Sequence, residues 1–222
     1  MTVTLTFLAL LMAGFVAWLF SHSVNVRPWV AGSSETARRT QVPEWVTAPR
    51  MGLMVLLATV TSVFTLIISA YLMRMEMGAD WHPLPDSALL WFNSALLVLA
   101  SVALHGAWRA ARQDAVERVR HLLIAGGGLS ALFVVGQLLV WRQLAVEGYY
   151  LATNPANAFY YLLTSLHGLH LLGGLVAWAK VFRRLQRGGE PARLRSGIEL
   201  CAVYWDFLLL VWVVVFALLL KT

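Results

Sequence analysis

The chain has 222 residues, 59% of them hydrophobic and 13% charged, with a mean hydropathy of +0.70. Soluble chains run at about 45–50% apolar and about 25% charged, so an ordinary soluble domain and a disordered tail are both excluded. The net charge is +6, but the cations sit between apolar runs, which makes them topology signals rather than a nucleic-acid footprint.

A bilayer core of about 30 Å takes about 20 mostly apolar residues per helix. Six runs meet that requirement, at 3–20, 51–73, 88–108, 121–141, 158–180 and 198–220. The run 3–20 lacks a basic leader and a small-residue cleavage pattern after Phe20, so it reads as a span and not as a signal peptide. The connection 21–50 carries Pro28, Pro43, Pro49 and a Gly-Ser-Ser stretch and reads as irregular. The run 51–73 holds Thr59, Thr61, Ser62, Thr65 and Ser69 but no charge, and 88–108 holds His105 near its end. Gly126-Gly127-Gly128, Gly136 and Gln137 lie in 121–141. Asn154-Pro155 reads as a helix N-cap followed by proline at the first helical position. The run 158–180 contains His167, Gly168, His170, Gly173 and Gly174, and Gly188-Gly189 with Pro191 break the chain after it. The last run carries Glu199, Cys201, Tyr204 and Asp206.

The connections alternate in charge. Those at 21–50, 109–120 and 180–197 hold 14 cations, against 3 in the other connections and the C-terminal end. The positive-inside rule puts the basic connections in the cytoplasm and both termini outside. The expected architecture is an all-α integral membrane bundle of six transmembrane helices. Residues 1–49 supply the first helix and a long cytoplasmic loop, and 50–222 supply a five-helix core. Small residues favour close helix approach, so the glycine faces, Gly173 included, are expected at helix interfaces. Of the 10 tryptophans, Trp81, Trp91, Trp108, Trp141 and Trp178 fall near span ends, where interfacial aromatics are expected. Trp205 and Trp212 lie deeper and are expected against neighbouring helices or lipid.

Ionisable residues within a bilayer are costly and mark function or structural pairing. His167 and His170, at i and i+3, share a helix face and invite a haem or metal reading. The other four histidines are His22, His82, His105 and His121, too few in suitable positions for a haem–copper centre. The single Cys201 allows neither a dinuclear copper site nor covalent haem attachment. His167, His170, Glu199, Tyr204 and Asp206 therefore read as a structural polar cluster. At a rise of 1.5 Å per residue, Asp206 and His170 lie at nearly the same depth on consecutive antiparallel helices. Asp206 is expected to accept a hydrogen bond from His170, from His167 one turn away, or from a nearby hydroxyl on the run 51–73; a protonated Asp206 on a backbone carbonyl is the alternative.

Phe159-Tyr160-Tyr161-Leu162-Leu163-Thr164-Ser165-Leu166-His167-Gly168-Leu169-His170, continuing to Gly173-Gly174, resembles the fifth-helix signature of haem–copper oxidase subunit III. Glu199 followed by Tyr204-Trp205-Asp206-Phe207 and Val211-Trp212 resembles its last helix. Gly52 to Arg74, ending Ala70-Tyr71-Leu72-Met73-Arg74, with Trp81 and Leu84-Pro85, resembles its third helix and following loop. Leu90 to Asn93 and Gly136-Gln137 also fit, and the resemblance covers about residues 50–220. Two positions depart from the pattern: Val60 stands where the family often has a buried Glu, and Asp206 stands where its last helix has His.

The family usually has seven spans with the N-terminus inside, and loss of the first helix would leave six with both ends outside. The resemblance implies a non-redox accessory subunit of a bacterial terminal oxidase, cytochrome c oxidase subunit III, in the inner (plasma) membrane. It implies no catalytic site, haem or copper in this chain, with those groups in partner subunits. It also implies bound phospholipid, packing against catalytic subunit I together with subunit II, and support of assembly and proton uptake. A quinol oxidase or nitric oxide reductase would keep the fold and change the complex. A small transporter is a different class, against which the proline-free cores of the later spans count; so is an enzyme with its own intramembrane site, for which no nucleophile or metal set is present.

Overall fold

The computed structural model describes residues 47–77, 81–82, 88–188 and 191–220, with side chains from 194 onward in the last stretch. These lie in the unit Trp45–Thr222. The expected run 3–20, the connection up to residue 46, the placement of either terminus and the charges Asp80, Asp86 and Lys221 fall outside the described residues.

Among the described residues the regular structure is entirely helical: α1 (Ala48–Met77), α2 (Ala88–Arg112), α3 (Val116–Val146), α4 (Pro155–Gln186) and α5 (Pro191–Leu220). All five contain windows apolar enough to cross a membrane. At 25 to 32 residues they run about 38–48 Å, the hydrocarbon core plus its headgroup layers. That is why they extend one or two turns past the apolar runs, which mark only the hydrocarbon part.

Long-range contacts sort the helix ends. Arg50 at the start of α1 meets Glu199 near the start of α5, and Arg195 meets Asp114 in the α2–α3 turn. At the opposite end Asn154, before α4, donates to the His82 carbonyl in the α1–α2 connection, at 2.6 Å. The first of these ends also carries Arg109, Arg112, Arg118, Arg183, Arg184 and Arg187.

α2, α3, α4 and α5 form a ring in that order, closed by α5 against α2, and α1 lies outside it on α4 and α5. The ring buries one apolar core that includes Leu97, Leu104, Leu123, Phe133, Leu171, Trp205, Leu208 and Trp212. A smaller cluster joins α1 to the ring through Val60, Phe64, Tyr71, Leu163, Val211 and Val215. Val60, where the resembling family often has Glu, is thus packed among apolar side chains.

The glycines divide. A Cβ on Gly126 would fall 2.7 Å from Leu104, and one on Gly127 or Gly136 would overlap the Trp178 ring or the Asn93 amide. On Gly174 it would lie 2.8 Å from the Tyr204 ring. Gly128, Gly168 and Gly173 face open space. The expectation that Gly173 is a close-approach position is therefore corrected: Gly174 fills that role. One residue turns a helix by about 100°, which carries the neighbouring position out of the interface.

The expected N-cap is present. Asn154 has extended backbone angles, its Oδ1 accepts from the Ala156 N–H, and Pro155 begins the helix. The same side chain holds the α1–α2 connection through its Nδ2. Asn154→Ala removes both bonds and should cost about 1–2 kcal/mol. Thermal unfolding in detergent, with Asn154→Asp retaining the cap alone and an intermediate loss, checks this.

Candidate functional site

The polar residues expected to form one intramembrane cluster are distributed over three places. The first is the basic end. Arg50 donates from Nη2 to both carboxylate oxygens of Glu199 at 2.8 Å, with both side chains about one-third exposed. The pair ties α1 to α5. Beside it a cavity of about 590 Å³ is lined by Trp108, Arg112, Arg195 and Glu199. Its cations are engaged: the Arg112 guanidinium sits 5.4 Å from the Trp108 ring centre, and Arg195 pairs with Asp114.

The second place is the outer edge between α2 and α5. Asp206 accepts from the Ser101 hydroxyl through one oxygen, and its other oxygen lies 3.2 Å from His105 Nδ1. The expected partners were His170 and His167 on α4, so that pairing is corrected. The depth arithmetic places Asp206 on the axis but says nothing of rotation. Tyr204 and Leu208 face α4, and Asp206 lies about 200° around the helix from each of them, which turns it to α2. The Ser101 hydroxyl realises the alternative of a nearby hydroxyl, supplied by a helix other than the one expected.

The third place is the centre of the ring. His167 is fully buried, and its Nε2 lies 3.1 Å from the Leu208 carbonyl of α5. A carbonyl only accepts, so Nε2 carries the hydrogen. The ring sits between Phe133 of α3 and Trp212 of α5, with centroids 5.6 and 5.1 Å away. His170 points elsewhere: its Nδ1 donates to its own helix at the Leu166 carbonyl, 2.7 Å, and its ring approaches Phe64 of α1. Tyr204 then donates to the His170 backbone carbonyl at 3.0 Å, a second tie between α4 and α5. Among the described residues no three side chains of His, Cys, Asp or Glu are grouped as a metal ion would require.

A set of tryptophan ties completes the centre. Trp205 Nε1 donates to Ser130 Oγ at 2.7 Å, and Trp212 Nε1 to Ser94 Oγ at 2.9 Å. Both serines pass their own hydrogen to the carbonyl four residues earlier. Trp141 reaches Thr164 Oγ1, and Trp178 the Leu123 carbonyl. With no bulk water at the depth of Trp205 and Trp212, each of these indole N–H groups and each serine hydroxyl needs a protein partner, and the two tryptophan–serine ties satisfy both. Trp205 and Trp212 are thus core residues, away from lipid. Ser94, Ser101 and Ser130 escaped the reading of the sequence. A signal was present: Ser94 and Ser101 on α2, like Trp205 and Trp212 on α5, are seven residues apart and share a face.

No family model matches the chain. It is 29% identical over 173 residues to cytochrome c oxidase subunit 3 of Thermostichus vulcanus, covering 76% of this chain and 85% of that protein. It is 28% identical over 172 residues to cytochrome c oxidase subunit 3 of Synechocystis sp., covering 75% and 72%. It is 28% identical over 151 residues to the probable cytochrome c oxidase subunit 3 of Mycobacterium tuberculosis, covering 64% and 72%. The helical, membrane-spanning architecture and these matches agree with the signature read around His167 and His170: the chain is a multi-pass membrane protein whose curated homologues are cytochrome c oxidase subunit 3 of cyanobacteria and mycobacteria.

Proposed function

We propose that this chain is the accessory, non-redox subunit of a haem–copper cytochrome c oxidase in a bacterial inner membrane. The observation that carries the reading is the match to cytochrome c oxidase subunit 3 over about three-quarters of the chain. The use of the polar residues supports it. His167, Tyr204, Trp205, Trp212 and the Arg50–Glu199 pair are all spent on joining helices, which suits a scaffold. Haem and copper then reside in the catalytic subunit I, with subunit II as a further partner and phospholipid bound around this chain. The chain's part is to keep the complex assembled and to support proton uptake during turnover. Residues 1–49 form its first helix and a cytoplasmic loop, and 50–222 its five-helix core. The basic end faces the cytoplasm and both termini lie outside.

A strain lacking this chain tests the reading. Membranes should retain the haem spectrum of the oxidase, while oxygen uptake with reduced cytochrome c falls in steady state or decays during turnover. Unchanged activity and durability would contradict it. Uptake lost with a quinol donor but untouched with cytochrome c would move the chain to a quinol oxidase.

A further inference from the structure

We propose that the interior of the ring is a water-binding site, where the Asn93 carboxamide of α2 and the Gln137 amide of α3 share an enclosed water molecule. The site joins α2 to α3 and, through Tyr160, to α4. It belongs to this chain alone and holds whichever complex the chain enters.

Asn93 is fully buried and Gln137 is 4% exposed. Among the described residues neither Oδ1 nor Nδ2 of Asn93 has a hydrogen-bond partner, and neither has Gln137 Oε1. Gln137 Nε2 donates to the Tyr160 hydroxyl of α4 at 3.0 Å. Turning the Gln137 amide over exchanges its two polar atoms, but still leaves one on Tyr160 and one without a partner. The two amides are neighbours. A Cβ on Gly136 would fall on the Asn93 carboxamide, 2.0 Å from Oδ1 and 2.9 Å from Nδ2, and Gln137 is the next residue of α3. Glycine at 136 is what lets the carboxamide lie against α3 at that turn.

An amide stripped of its hydrogen bonds is costly, and buried polar groups are therefore paired with protein or with ordered water. Burial of Asn93 and Gln137 excludes acyl chains, lipid headgroups and the helices of a partner. The occupant has to be small enough to be enclosed by the ring. It also has to both donate and accept, which a metal ion cannot do and water can. A water molecule accepts from Asn93 Nδ2 and donates to Gln137 Oε1, within the two to four bonds of an internal water, and Asn93 Oδ1 is available to it or to a second molecule. Counted from the ends of the apolar runs, the site lies about 6–8 Å in, at the end opposite the basic one. Asn157, one turn nearer that end than Tyr160, donates from Nδ2 to the Tyr150 carbonyl and the Thr153 hydroxyl, while its buried Oδ1 has no partner. That acceptor stands between the site and the surface and gives water a short polar way in.

The test uses the full chain, purified in its native assembly through a tag. An electron cryomicroscopy map that resolves ordered water should show density within about 2.7–3.2 Å of both an Asn93 carboxamide atom and the Gln137 amide. Two unpartnered amides with no density between them, or an Asn93 carboxamide turned onto a protein group, would overturn the proposal. Melting temperatures supply a second readout. Asn93→Leu, close in shape, takes away one of the two amides that hold the water and should lower the melting temperature by about 2–8 °C. Were the amides merely unsatisfied, removing one would stabilise the chain, so a melting temperature at or above that of the unchanged protein would overturn the site. Asn93→Leu combined with Gln137→Met and Tyr160→Phe removes the whole polar set and should melt above Asn93→Leu alone, because no amide or hydroxyl is then left without a partner. A combined variant that melts no higher would show that the three groups are not coupled through water, and would overturn the site as well.

Discussion

Gly174→Leu is expected to destabilise the folded chain by about 3 kcal/mol, and Gly173→Leu by less than about 0.5 kcal/mol. A Cβ at 174 lies 2.8 Å from Tyr204 Cε1 and 3.1 Å from Trp205 Cη2. Neither ring can swing aside cheaply. The Tyr204 hydroxyl is held by the His170 carbonyl, and the Trp205 indole by Ser130. Relieving the overlap therefore breaks a hydrogen bond at a depth where no water replaces it, or separates α4 from α5. At 173 an added Cβ meets nothing within 4 Å, and leucine favours helix over glycine. Thermal unfolding of the two variants in the same detergent checks the contrast. Equal melting temperatures would show that the α4–α5 contact is looser than described.

His167→Ala is expected to cost about 3–4 kcal/mol, and His167→Phe about 1 kcal/mol. Alanine opens a void between Phe133 and Trp212 at a fully buried site, and the ring cannot close it because Trp212 is fastened to Ser94. Phenylalanine keeps the aromatic fill and loses the N–H donated to Leu208. That carbonyl keeps its place in the helical ladder of α5, so the second loss is small. A near-equal loss in both variants would mean that the hydrogen bond, and not the packing, holds α4 to α5.

These two experiments also mark where the sequence could be read and where it could not. The helices α1 to α5 were legible because a span of about 20 apolar residues between charged connections has few other physical outcomes. The Asn154–Pro155 start was legible because a cap is local chemistry. The fifth-helix signature around His167 pointed to the same proteins to which the chain is similar over about three-quarters of its length. Rotation was not legible. Depth follows from counting residues, so Asp206 and His170 were set at one level. Which face of α5 turns to α4 depends on side chains from three other helices packing at once. The step from Gly173 to Gly174, and from the histidines of α4 to Ser101 and His105, is an error of azimuth in each case. Seven-residue spacing of Ser94 with Ser101 and Trp205 with Trp212 carries the missing information once both helices are known to be neighbours.

Whether this chain is an oxidase subunit is decided by purifying it from its native membrane in mild detergent through a small tag, followed by an optical spectrum and subunit quantification. The expected result is a coloured complex with an oxidase-type haem spectrum, a haem-bearing catalytic chain equimolar with the tagged one, and oxygen uptake with reduced cytochrome c. A colourless, homogeneous single-chain preparation, obtained under conditions gentle enough to keep the cell's other respiratory complexes intact, would contradict it.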